Sequence, residues 1–88
     1  MAGEVTLNGA IVEKDPASPL PAKPNDGLFL FTEDHQLLAL VTDFMATQAP
    51  TEYLHARSRS DFESYLGKKV TVKGYLSGRT LWSAMIIG

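Results

Sequence analysis

The 88-residue chain contains no cysteine, so disulfide staples, thiolate zinc sites and cysteine nucleophiles are all excluded. No apolar run approaches the length of a membrane span, and the start, Met1-Ala-Gly-Glu-Val-Thr6, lacks a basic, then apolar, leader pattern. These absences lead us to expect a cytoplasmic protein with no membrane partner. Aromatic residues are only 9% of the chain, with one tryptophan. There is no strong charge excess either. The net charge of −2 gives no global field to attract nucleic acid. Catalytic signatures are missing as well: there is no phosphate loop, no Gly-x-Ser-x-Gly elbow and no paired-His motif.

What is present is an ordinary globular balance, 44% hydrophobic and 20% charged, in a chain of one-domain length spanning 1–88. Charge is unevenly distributed. Residues 1–55 hold two Lys against eight Asp and Glu, net −6, and residues 56–88 hold six Lys and Arg against two acids, net +4. This asymmetry either defines a basic face or is interleaved when the chain closes on itself.

Period-two patterning dominates. Glu4 to Lys14 reads as strand one, with Val5, Leu7, Gly9 and Ile11 on one face and a bend at Gly9. Residues 15–27 form a loop carrying Pro16, Pro19, Pro21 and Pro24. Leu28 to Thr32 and Gln36 to Thr42 read as strands two and three, joined by the polar turn Glu33-Asp34-His35. Residues 43–59 carry no clear pattern. Ser60-Asp61-Phe62-Glu63 is a capping box opening a short helix, with Phe62, Tyr65 and Leu66 on one side and Gly67 as its stop. Val70 to Leu76 is strand four, with Val70, Val72, Gly74 and Leu76 facing one way. Ser77-Gly78-Arg79 is a hairpin turn and Thr80 to Ile87 is strand five. A bulge in strand five would let Leu81 and Ile86 both point inward and leave Trp82 outside.

The expected fold is therefore mainly β: a five-stranded OB-like barrel with one short helix between strands three and four. The element order and the stretch Leu66-Gly-Lys-Lys-Val-Thr-Val-Lys-Gly74 resemble small bacterial OB-fold proteins over almost the whole chain. The resemblance implies that the helix plugs one mouth of the barrel and that ligands meet strands two and three and the flanking loops. It specifies architecture, not activity.

Candidate site residues follow from that location. Phe29 and Phe31 stand where a stacking platform would be, Tyr75 and Trp82 extend it, and Lys73 and Arg79, with Lys14 and Lys23, supply charge. Against this, the turn between strands two and three is acidic, and the favoured expectation for Phe29 and Phe31 is a place in the core. A second argument is that strands two and three are apolar at both parities. Whichever parity faces inward, the other leaves an apolar patch that something covers. The cover is either Phe44, Met45, Tyr53 and Leu54 of the unpatterned segment or another protein chain. His55 lies three residues before Ser58 without an orienting acid, and Glu33, Asp34 and His35 diverge on a tight turn. Neither makes a catalytic or metal site. The sequence thus points to a non-catalytic binding or assembly module without cofactor or metal. It associates with a protein partner, or with itself, through the outer face of strands two and three. The alternative is single-stranded nucleic-acid binding at the same face.

Overall fold

A computed structural model describes residues 3–21, 26–44 and 48–88. Five strands, β1 (Gly3–Val12), β2 (Phe29–Thr32), β3 (Leu37–Leu40), β4 (Lys69–Ser77) and β5 (Thr80–Ile86), close in the order β1-β2-β3-β5-β4. All pairs are antiparallel except β3 with β5, which run parallel. This is the five-stranded OB-like barrel expected from the sequence.

Closure depends on β1, which pairs with β4 from Gly3 to Ala10 and with β2 from Gly9 to Val12. Gly9 pairs with both neighbours at the bend. A Cβ there would lie 2.4 Å from the Phe31 carbonyl oxygen, so no other residue lets the two backbones approach this closely.

Alternation fills the interior. Ile11, Leu28, Leu30, Leu38, Leu40, Val70, Val72, Leu81 and Ala84 form the core, with Val5, Leu7, Leu76 and Ile86 packed against it. The expectation that Phe29 and Phe31 belong to the core is overturned: closure of the barrel turns Leu28 and Leu30 inward, and Phe29 and Phe31 face outward. In β5 the step from buried Leu81 to buried Ala84 is odd. The reason is an extra residue opposite Gly74, where Tyr75 pairs with Trp82 but Lys73 pairs with Met85. Ser83, at φ 52, absorbs the bulge, and Trp82 ends half-buried on the outer parity.

Between β3 and β4 the chain forms α1 (Thr51–Arg57), α2 (Arg59–Phe62) and a 3₁₀ turn (Glu63–Tyr65). Phe62 enters the barrel core. The capping box is not formed. The helical stretch begins upstream of Ser60, α2 follows Ser58 without a side-chain cap, and Glu63 instead accepts a 3.0 Å bond from Arg59 Nε. Tyr65 and Leu66 are exposed, Phe62 is the side chain of this stretch that enters the core, and Gly67 ends it at φ 81. The unpatterned segment contains α1, held by buried Ser58. Its Oγ donates to the Leu54 carbonyl at 2.8 Å and accepts from the Thr42 amide at 3.0 Å.

Among the described residues no helix is long and apolar enough to cross a membrane.

Candidate binding face

The outward side of β2 carries Phe29 and Phe31, two residues apart and therefore on one face. Register places apolar side chains beside both. Phe29 lies opposite Val12 of β1 and Ala39 of β3, and Phe31 lies opposite Ala10 and Leu37. Six apolar residues on three adjacent strands thus make one strip, each of them half-buried. Two histidines flank it. His55 of α1 meets Phe29 edge-on, and His35 of the β2–β3 turn meets Phe31 edge-on with centroids 5.6 Å apart. His35 reaches that position at φ 64, in a turn fastened by Thr32, whose Oγ1 accepts from the Gln36 amide at 3.0 Å.

Two grooves border the strip. One, of about 340 Å³, runs over Leu37 between Asp15 of the β1–β2 loop and the Gly78-Arg79 turn. The other, of about 510 Å³, lies at the β1 bend between Phe31 and His35 on one side and Lys69 and Thr71 on the other.

The six residues singled out from sequence fall into two groups. Phe29 and Phe31 sit together on β2. Tyr75 and Trp82 are directly opposite each other on β4 and β5, with Lys73 two residues along β4. Ala39 of β3, paired with Thr80 of β5, separates the two groups. Arg79 stands at the β4–β5 turn and lines the groove over Leu37. Lys14 turns into its own loop, donating to the carbonyls of Ser18 and Leu20, and Lys23 lies outside the described residues.

The charge asymmetry along the chain is interleaved in space. Arg57 pairs with Asp43, Arg59 with Glu13 at 3.1 Å, and Lys73 with Glu4 at 3.6 Å, each joining a basic C-terminal residue to an acidic N-terminal one. Arg59 also donates to the Asp26 carbonyl at 3.0 Å, tying the end of the proline-rich loop to the helical stretch.

The segment 43–59 meets the strip through His55, which packs on Phe29. Phe44 and Tyr53 are 74% and 57% exposed, Met45 lies outside the described residues, and Leu54 is buried. Leu37 and Ala39 belong to the doubly apolar strand pair read from the sequence, His35 and His55 were weighed there only as metal or catalytic candidates, and Ala10 and Val12 had no signal as site residues. Their assembly into one strip emerges only from cross-strand register and from the position of α1.

His55 and Ser58 do not address each other. The imidazole Nε2 is 2.9 Å from the Leu28 carbonyl, whereas the Ser58 hydroxyl is engaged with Leu54 and Thr42. Among the described residues there is no group of three or more His, Asp or Glu that could hold a metal ion.

Comparison with protein-family models, curated proteins and solved structures finds no match to this chain.

Proposed function

We propose that this chain is a non-catalytic binding module, an OB-like barrel that associates with protein through the outer face of β2 and β3. The observation that carries the reading is the strip of Ala10, Val12, Phe29, Phe31, Leu37 and Ala39. It is apolar across three adjacent strands and bordered by grooves, whereas an antiparallel barrel strand with one wet face alternates apolar with polar residues. The local charge favours protein over nucleic acid. The β2–β3 turn is acidic at Glu33 and Asp34, Lys73 is paired with Glu4, and Tyr75 and Trp82 stand apart from the phenylalanines. A phosphate backbone requires cations along the platform.

One observation favours the second reading, single-stranded nucleic-acid binding. Phe31 and Lys69 line one groove, so a base on the ring would bring its phosphate toward an ammonium group. Sedimentation of the wild type and of Phe31→Lys, with and without a single-stranded oligonucleotide at low salt, separates the two. A complex of protein alone that Phe31→Lys dissociates supports association. Oligonucleotide binding that Lys69→Glu abolishes, with no protein association, supports the alternative and defeats the first reading.

A further inference from the structure

Strand β1 changes neighbours along its length. It pairs with β4 from Gly3 to Ala10, but β2 joins its other edge only from Gly9 to Val12. Hydrogen bonds at the handover fix which residues point to which side. Ile11 bonds toward β4, donating to the Lys68 carbonyl and accepting from the Gly67 amide. The Asn8 carbonyl instead accepts from the Glu33 amide at 3.3 Å, on the β2 side. Thr71, opposite Asn8 on β4, has its own amide and carbonyl engaged with Gly88 and Ile87 beyond β5. Backbone groups alternate sides along a strand, so Glu4 and Thr6, like Asn8, turn N–H and C=O away from β4. On that side β2 has already ended. Glu4 and Thr6 are exposed, and their backbone groups find no hydrogen-bond partner among the described residues. The side chains placed to guard this edge lean the other way. The Glu4 carboxylate pairs with Lys73 at 3.6 Å, and Asn8 Oδ1 accepts from the Thr71 hydroxyl at 2.6 Å, both on β4. Neither a proline nor a register shift interrupts β1 here, so the usual devices that blunt a strand edge are missing.

Donors and acceptors repeated at every second residue match another extended polypeptide, not a helix or a phosphate backbone. The surroundings set the charge. On the β4 side Lys73 and Glu4 cancel, and at the Asn8 end the edge meets the β2–β3 turn, where Glu33 and Asp34 are exposed. A second copy of the edge would bring more acid, whereas a basic segment complements the turn. We propose that the open edge of β1, residues 3–8, takes up an extended basic segment of another protein as an added strand. It runs antiparallel to β1, in the row that β2 leaves, so that one of its residues exchanges both bonds with Glu4 and the next but one exchanges both with Thr6. The site uses none of the residues of the strip on β2 and β3 and stands or falls apart from it.

The test is amide NMR of the chain titrated with the peptide acetyl-Thr-Lys-Val-Lys-Val-Lys-Thr-amide. In the free protein the amides of Glu4 and Thr6 are expected to exchange quickly and those of Val5 and Leu7 slowly. Peptide is expected to shift and protect the first two. Its valines then lie beside Val5 and its lysines beside Glu4 and Thr6, so the lysine amides make the bonds. N-methylation of the peptide at its lysines is expected to weaken binding at least about tenfold, and N-methylation at its valines to leave it within about threefold. Glutamate in place of each lysine is expected to weaken it at least about tenfold. Thr6→Pro removes an outward donor and no bond to β4, so it is expected to fold and to bind at least about tenfold more weakly. Phe31→Lys is expected to bind the peptide as the wild type does, which separates this edge from the β2–β3 face. Slow exchange of Glu4 and Thr6 in the free protein, no shift of either at millimolar peptide, or indifference to lysine N-methylation overturns the added strand. Equal binding of the glutamate peptide overturns the basic partner. Shifts of Glu4 and Thr6 with protein concentration alone make a second copy the occupant and overturn the foreign segment.

Discussion

His55 stands edge-on to Phe29, with ring centroids 4.7 Å apart and planes at 66°, and its Nε2 lies 2.9 Å from the Leu28 carbonyl oxygen. A carbonyl only accepts, so Nε2 carries the proton and donates. One side chain thus holds α1 against β2 and shields one end of the apolar strip. His55→Ala removes the hydrogen bond and the ring contact together and is expected to cost about 1–2 kcal/mol. Urea unfolding measures the loss, and amide exchange is expected to quicken first in α1. Unchanged stability and exchange would show that α1 is held by Leu54 and Ser58 alone.

Ser58 and Ser60 are two residues apart and differ in what they hold. Ser58 is buried and bridges Thr42 to Leu54, so Ser58→Ala strands the Thr42 amide and is expected to cost about 1–2 kcal/mol. Ser60 is exposed inside α2 and makes no cap, so Ser60→Ala is expected to lie within about 0.5 kcal/mol of wild type. Chemical denaturation of the two variants side by side decides it. A larger loss at Ser60 would restore the capping box.

The β5 bulge makes a third expectation. Ser83 at φ 52 tolerates glycine but not a β-branched residue. Ser83→Gly is expected to be neutral or up to about 1 kcal/mol more stable, and Ser83→Val at least about 1 kcal/mol less stable. Opposite the bulge, a Cβ at Gly74 would lie 2.8 Å from the Trp82 carbonyl oxygen, so Gly74→Ala is expected to cost about 1–3 kcal/mol. Thermal unfolding of the three variants gives the order. If Ser83→Val were the most stable, the bulge would lie elsewhere.

What the sequence made legible, and what it did not, follows from how local each cause is. Period-two alternation is written residue by residue, so strands β1 and β4 and their inward faces could be read directly, as could the bend at Gly9. The β5 bulge was readable because Leu81 and Ile86 cannot share a face without an extra residue between them. In β2 the alternation was silent, since phenylalanine and leucine are both apolar, and only closure of the barrel selects Leu28 and Leu30 for the inside. The helix α1 was unreadable for a different reason. It follows Pro50, lacks a side-chain cap, and buries only Leu54, so neither a start signal nor an apolar stripe exists. The capping box was a false lead because Arg59 and the preceding turn already continue the helical stretch, leaving Ser60 no free helix end to cap. The binding strip was half legible. Phe29 and Phe31 were visible as a pair, but their neighbours Val12, Leu37 and Ala39 are assigned by register, and His55 by the packing of an unreadable helix.

Parity now makes a sharp contrast possible along β2. Leu30 is fully buried in the core, so Leu30→Lys puts an unpaired charge in the barrel and is expected to unfold the protein, a loss of several kcal/mol. Phe31→Lys changes an outward, half-buried position and is expected to leave a cooperative unfolding transition. Circular dichroism melts of both variants check the parity. A folded Leu30→Lys protein would invert it.

The central claim is that the outer face of β2 and β3 binds protein, and a second copy of the chain is the first partner to test. The most direct measurement is the set of backbone amide shifts of the wild type followed from micromolar to millimolar concentration. The account expects concentration-dependent shifts at Phe29, Phe31, Leu37 and Ala39, while Lys73 and Tyr75 stay fixed, and expects all of them to vanish in Phe31→Lys. Shifts confined to Tyr75, Trp82 and their neighbours, or spectra that do not change with concentration, would contradict it.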